Sequence, residues 1–159
     1  MLLNKMSNNK LEYLIIPVPL ILGFAFGYMC RVGGSAGANI VWRPPSWFFG
    51  FIWAVLYTLI GYVWYRILQL DEYIIECNVF MTLLIIFLNT WVVLYSNNCG
   101  QSQKTYAVYI LFVNILILLL LLNYLRNDPT SQALLLPLLV WLLAALLLNT
   151  QEVQLLNAK

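Results

Sequence analysis

Aromatic and amide side chains at helical spacing are the residues of this chain with most chemistry to offer. Phe49, Trp53 and Tyr57 recur at every fourth position, which places them on one side of a helix, and Trp64 falls on the same broad side. Asn89, Asn114 and Trp141 sit deep within apolar runs. A flat, apolar ligand could stack on such rings and take its few hydrogen bonds from the two amides. Packing inside a helix bundle explains Trp53 equally well, and amides such as Asn89 and Asn114 serve as often to bond one helix to the next. The chain contains no histidine, which removes Ser-His-Asp, Cys-His and haem-ligating arrangements. Cys30, Cys77 and Cys99 form no CxxC pair, so no metal site is expected, and their spacing says little about redox compartment. No apolar run carries a pair of carboxylates for acid/base work. These residues point to binding, with no catalytic set and no obligatory cofactor.

The elements that position them are membrane spans. With 63% hydrophobic and 9% charged residues, the chain reads as an all-α integral membrane protein. Its apolar runs predict five transmembrane helices over about 13–30, 46–68, 77–95, 106–125 and 133–149, within one transmembrane domain covering residues 1–159. Pro44 and Pro45 lack N–H groups and suit a lead-in, so the second helix is expected to begin near Ser46. Gly50, Ala54 and Gly61 form a small-residue stripe beside the aromatic one, and Gly23-x-x-x-Gly27 marks a close helix crossing. Tyr13, Trp64, Tyr65, Tyr73 and Tyr124 suit interfacial anchoring. The first apolar run exceeds a signal-peptide core, which disfavours cleavage at Ala36-x-Ala38. GGSAG lacks the GK[ST] of a phosphate loop.

The eight basic residues are scattered and the net charge is only +2, which argues against a nucleic-acid partner. Five spans put the termini on opposite sides. Lys5, Lys10, Arg66 and Arg126 then share one side and Arg31, Arg43, Lys104 and Lys159 the other, so the positive-inside rule chooses neither orientation.

Trp42-Arg43-Pro44-Pro45-Ser46-Trp47, followed by Gly50, Trp53, Leu56-Tyr57 and Gly61, closely resembles the translocator protein family, also called tryptophan-rich sensory proteins or peripheral-type benzodiazepine receptors. A second match comes late, where Pro137, Trp141, Ala145, Leu148 and Asn149 resemble the family's fifth helix. The resemblance implies a five-helix bundle, often a homodimer, whose cavity lies under the loop between the first two helices. It also implies a receptor for porphyrins, sterols and synthetic aromatic ligands, with membrane lipid around it and the mitochondrial outer membrane as one address. By position, Trp53 and Trp141 match tryptophans linked in the family to light-dependent porphyrin breakdown, the one enzymatic activity implied. Phe49, Ala145 and Leu148 match cavity walls, Tyr106 matches a family tryptophan, and Asn89 matches the family's third-helix asparagine.

The chain also departs from the family pattern. The loop before Trp42 is short and lacks W-Y-x-x-L-x-K-P. Phe51 and Leu138 replace a proline and a tyrosine, Trp91 follows Asn89 by two residues rather than three, and the tail after Asn149 has no tyrosine. L-x-Y-x-R at Leu122 to Arg126 fits a sterol pattern that chance often matches. Tetrapyrrole binding is therefore favoured over sterol binding. The alternatives are a small transporter of lipid or porphyrin and a structural scaffold that recruits partners.

Overall fold

The computed structural model describes residues 12–31, 37–96, 99 and 103–158. Lys5, Lys10, Lys159, Ala36 and most of the GGSAG loop lie outside them. A 3-10 turn at Tyr13–Ile15 leads into α1 (Val18–Cys30), followed by α2 (Ser46–Ile67), α3 (Ile74–Tyr95), α4 (Lys104–Tyr124) and α5 (Pro129–Asn157). Five helical segments, the first counted from Tyr13, are long and apolar enough to cross a membrane.

Two helices run clearly past their expected bounds. Helix α3 begins at Ile74 rather than 77. Helix α5 begins at Pro129 and runs on to Asn157, well beyond the expected 133–149. Its start is set by Asp128, whose side chain accepts from the Ser131 N–H, and by proline at a position that needs no N–H donor. The polar stretch after Asn149 stays helical because nothing in it breaks a helix, and its Glu152 is needed for a contact described below.

Neighbouring contacts order the helices around the bundle as α1, α2, α5, α4, α3 and back to α1, with α2 also touching α3. Polar side chains survive in the apolar middle by bonding the carbonyl one turn back. Thr58, Thr82, Thr90, Asn89, Asn114 and Asn149 all do so. The far end is closed by Arg66, which pairs with Asp128 at 2.7 Å and donates from Nε to Ser131 Oγ at 3.0 Å. Burial alone would raise the Asp128 carboxyl, but the bonds from Arg66 and Ser131 outweigh it and hold it below the usual carboxylate range.

Helix α1 is held close to α2 by two glycines. A Cβ on Gly61 would strike the Ile16 carbonyl, and one on Gly23 would strike the Tyr57 ring. The expected Gly23–Gly27 crossing is therefore half right: Gly23 is pressed against α2, whereas nothing lies within 4 Å of a Cβ at Gly27. The stripe on α2 divides in the same way, with Gly61 at a crossing and Gly50 facing open space. The other end of α1 is fixed covalently by a Cys30–Cys99 disulfide, a pairing that the separation of 69 residues hid in the sequence. Cys77 is free and buried.

Gly61→Ala is expected to destabilise the protein by about 2 kcal/mol, as for other overpacked positions, while Gly27→Ala leaves stability unchanged. Thermal unfolding in detergent checks the pair, and equal melting temperatures would contradict this account of the crossing.

Candidate functional site

The site is built on the α2 entrance. Pro45 is extended, with φ −60° and ψ 149°, and supplies no side-chain cap, so the helix starts at Ser46. From that start Phe49, Trp53 and Tyr57 follow one another down a single side, and the Trp53 and Tyr57 rings stack at 5.3 Å. Trp53 also meets Trp91 of α3 at 5.9 Å and Trp141 of α5 at 6.5 Å, the latter edge to face. Phe49 meets Trp141 at 5.7 Å, and Trp91 stacks on Tyr95 at 5.2 Å. Three helices thus contribute to one continuous aromatic cluster.

The cluster walls a cavity of about 420 Å³, within the range of small-molecule sites. Gly23, Phe24, Gly27 and Tyr28 of α1 form the opposite wall, Ala144 and Ala145 leave room on α5, and Trp42, Arg43 and Pro44 stand at its mouth. No residue of α4 lines it. The polar groups are few. Trp91 Nε1 donates to Asn149 Oδ1 at 3.3 Å, so that pair is satisfied. The Trp141 ring lines the cavity, while its Nε1 is buried away from the open space with no hydrogen-bond partner.

The mouth is secured by Glu152. Its carboxylate accepts from the Gly37 backbone N–H at 3.1 Å, the Tyr95 hydroxyl at 2.6 Å and Lys104 Nζ at 2.6 Å. Gly37 has φ +68°, a conformation that favours glycine, so the chain can turn there and present its N–H. Trp42 Nε1 adds a tether, donating to Gln151 Oε1 at 2.8 Å. The loop is thereby fastened to α5.

Of the residues singled out in the sequence, the structure brings Phe49, Trp53, Tyr57, Trp141, Ala145 and Leu148 together around this cavity. Asn89 and Tyr106 are not among its lining residues. Asn89 is buried, with its amide turned to the Ile85 carbonyl at 2.8 Å. Tyr106 is 62% exposed on α4, the helix that takes no part in the cavity. Trp47 is likewise 70% exposed. Sequence reasoning missed Trp91, Tyr95, Arg43 and Glu152. The spacing of Trp91 and Tyr95, one helical turn apart, was the available signal for the first two. Glu152 was legible only as a carboxylate one turn beyond Leu148 and Asn149 on the α5 cavity side.

An all-helical bundle with five spans and a ligand-sized aromatic cavity under a tethered loop defines a multi-pass membrane protein of receptor or transporter type. The chain belongs to the TspO/MBR family, whose sequence profile matches residues 15–154. No curated protein matches the chain.

Glu152→Ala is expected to cost about 2 kcal/mol, the worth of hydrogen bonds to a charged group, and to free the loop from α5. Melting temperature and protease sensitivity at residues 37–43 report the two effects. A variant as stable and as protease-resistant as the parent would show that the loop is held by other contacts.

Proposed function

We propose that the cavity binds a planar, largely apolar ligand, a porphyrin or related tetrapyrrole in the first place and a sterol in the second. The observation that supports it best is the meeting of Trp53, Trp91 and Trp141 around open space. Rings that only packed a core would fill one another's gaps; these face a cavity, where stacking and burial would supply the affinity. Trp141, set edge to face against Trp53, would bound the ligand with its ring. No histidine is present to ligate a central metal axially, so aromatic contact would have to carry the binding. Trp53 and Trp141 would be the residues closest to any light-driven breakdown of the bound ring.

The test is a titration of purified protein in detergent with protoporphyrin, read by quenching of tryptophan emission. Gly50→Leu fills the cavity from a position with nothing within 4 Å, so it is expected to abolish binding with the melting temperature kept. Trp141→Phe is expected to weaken binding by about fivefold, the worth of one aromatic contact. Tyr106→Ala, outside the cavity, serves as the unaffected control. Parent-like titration curves for Gly50→Leu would sink the proposal.

The disulfide bears on the membrane in which the protein resides. Cys30 and Cys99 lie at the same end as the cavity mouth, and disulfides persist in oxidising compartments. The mouth would therefore open toward such a compartment, with the Arg66–Asp128 end on the reducing side. In intact cells or organelles, a membrane-impermeant reductant followed by an impermeant maleimide should label the exposed Cys99 and spare the buried Cys77. Labelling that required permeabilisation would reverse the orientation.

A further inference from the structure

The rings of the site form a series that runs from the cavity wall to the mouth. Trp141 and Trp53 meet at 6.5 Å, Trp53 and Trp91 at 5.9 Å, and Trp91 and Tyr95 at 5.2 Å, the last pair stacked. Centroid spacings of this size are those of directly interacting rings. Indole and phenol are the side chains that most readily give up a single electron, and between rings so close an electron passes without a carrier. The series finishes on a group of another kind: the Tyr95 hydroxyl donates to Glu152 Oε2 at 2.6 Å, a short bond to a charged acceptor.

We propose that Trp91, Tyr95 and Glu152 form an exit for one-electron oxidising equivalents that arise in the cavity. This rests on the cavity being a binding site, since the oxidant is a bound planar ring excited by light. The excited ring takes one electron from Trp53 and becomes a radical anion, leaving the Trp53 radical cation. Trp91 gives an electron to Trp53, and Tyr95 gives one to Trp91. As Tyr95 is oxidised its O–H bond breaks, the proton passes to Glu152, and a neutral tyrosyl radical faces a neutral carboxylic acid. Return of the electron from the ring to Tyr95, with the proton from Glu152, restores the starting state, so no further reactant is consumed.

Proton acceptance decides where the oxidising equivalent stops. An oxidised indole becomes neutral only by losing its Nε1 proton. Trp141 Nε1 is buried with no partner, and Trp91 Nε1 faces the amide oxygen of Asn149 at 3.3 Å, an acceptor that does not take up a proton. Tyr57 stacks on Trp53 at 5.3 Å, but its ring is pressed against Gly23 and no carboxylate is among the described residues that line the cavity. Tyr95 is the member of the series bonded to a base. Lys104 Nζ lies 5.4 Å from the Tyr95 ring centre, and a cation there opposes a positive charge on the ring, so electron and proton leave Tyr95 together. The consequence is protective, because the oxidising equivalent is drawn away from Trp53 and Trp141 before either ring is altered chemically.

The experiment uses the full-length protein in detergent with protoporphyrin as the probe. Binding is established first by quenching of tryptophan emission, and the complex is then flash-illuminated and followed by transient absorption and electron paramagnetic resonance. The parent is expected to give a tyrosyl radical. Tyr95→Phe, which keeps the stacked ring and removes the hydroxyl, should lose that radical and accumulate more oxidised Trp53 and Trp141, read by peptide mass spectrometry. Glu152→Gln, which keeps an acceptor oxygen but no base, should form the radical about a hundredfold more slowly, the lower end of what a positioned base contributes. Deuterated buffer should slow its formation in the parent, and Tyr106→Phe should match the parent. A bound complex that gives no tyrosyl radical, or a radical unchanged in Tyr95→Phe, overturns the exit proposal and leaves the binding site standing. A parent that binds no protoporphyrin overturns the cavity reading, and the exit with it.

Discussion

Glu152 accepts hydrogen bonds from three separate segments, the Gly37 loop, α3 through Tyr95 and α4 through Lys104, all delivered to one carboxylate on α5. A carboxylate at the edge of a hydrocarbon layer is stable there only when its charge and lone pairs are met. That requirement runs in both directions: the donors need Glu152, and Glu152 needs them in place. The loop over the cavity, the register of α3 against α5 and the start of α4 are thus fixed at one point. Tyr95 carries the constraint into the site, since its ring stacks on Trp91, and Trp91 in turn meets Trp53.

Given that frame, the cavity exists because glycines and alanines are set among the large rings that line it. Trp53 meets Trp91 at 33° and Trp141 at 87°, so the three rings wall the space without closing over it. Gly27, Gly50, Ala144 and Ala145 do not reach far enough to fill the remaining space. Elsewhere in the same bundle glycine has the contrary effect, and Gly61 lets backbone meet backbone at Ile16. Spacing along a helix does not distinguish the two uses; what lies across from the residue does.

This explains which parts were legible in the sequence. The five spans were, because a bilayer core demands long apolar helices and composition reports them directly. Phe49, Trp53 and Tyr57 were, because their shared side follows from helical periodicity. Trp141, Ala145 and Leu148 were placed by resemblance to the family motif. The exclusion of Asn89 and Tyr106 from the cavity was not legible, because a polar or aromatic residue within a span can bond its own helix or face lipid, and only the neighbouring helices decide. Gly23 and Gly27 looked equivalent and are not, for the same reason. Glu152 was hidden by its setting: a charged residue near the end of a chain reads as solvated tail until the helix carrying it proves long enough to reach the loop. The Cys30–Cys99 link depended on which ends of α1 and α3 come together, information that no local spacing holds.

The two ends of the bundle also differ in how they could move. At the far end the connections between α2 and α3 and between α4 and α5 are short, and Arg66, Asp128 and Ser131 lock α2 to α5. At the mouth end α1 is tied by the disulfide and α5 by Glu152. Helix α1 is pinned at its start by the Gly61 approach and at its finish by Cys30, so its middle, from Gly23 to Gly27, must serve as a fixed wall. The segment from Trp42 to Pro45 is joined to α5 by the Trp42–Gln151 hydrogen bond, one residue along from the Glu152 that anchors Gly37, so loop and helix end are held as one unit over the cavity.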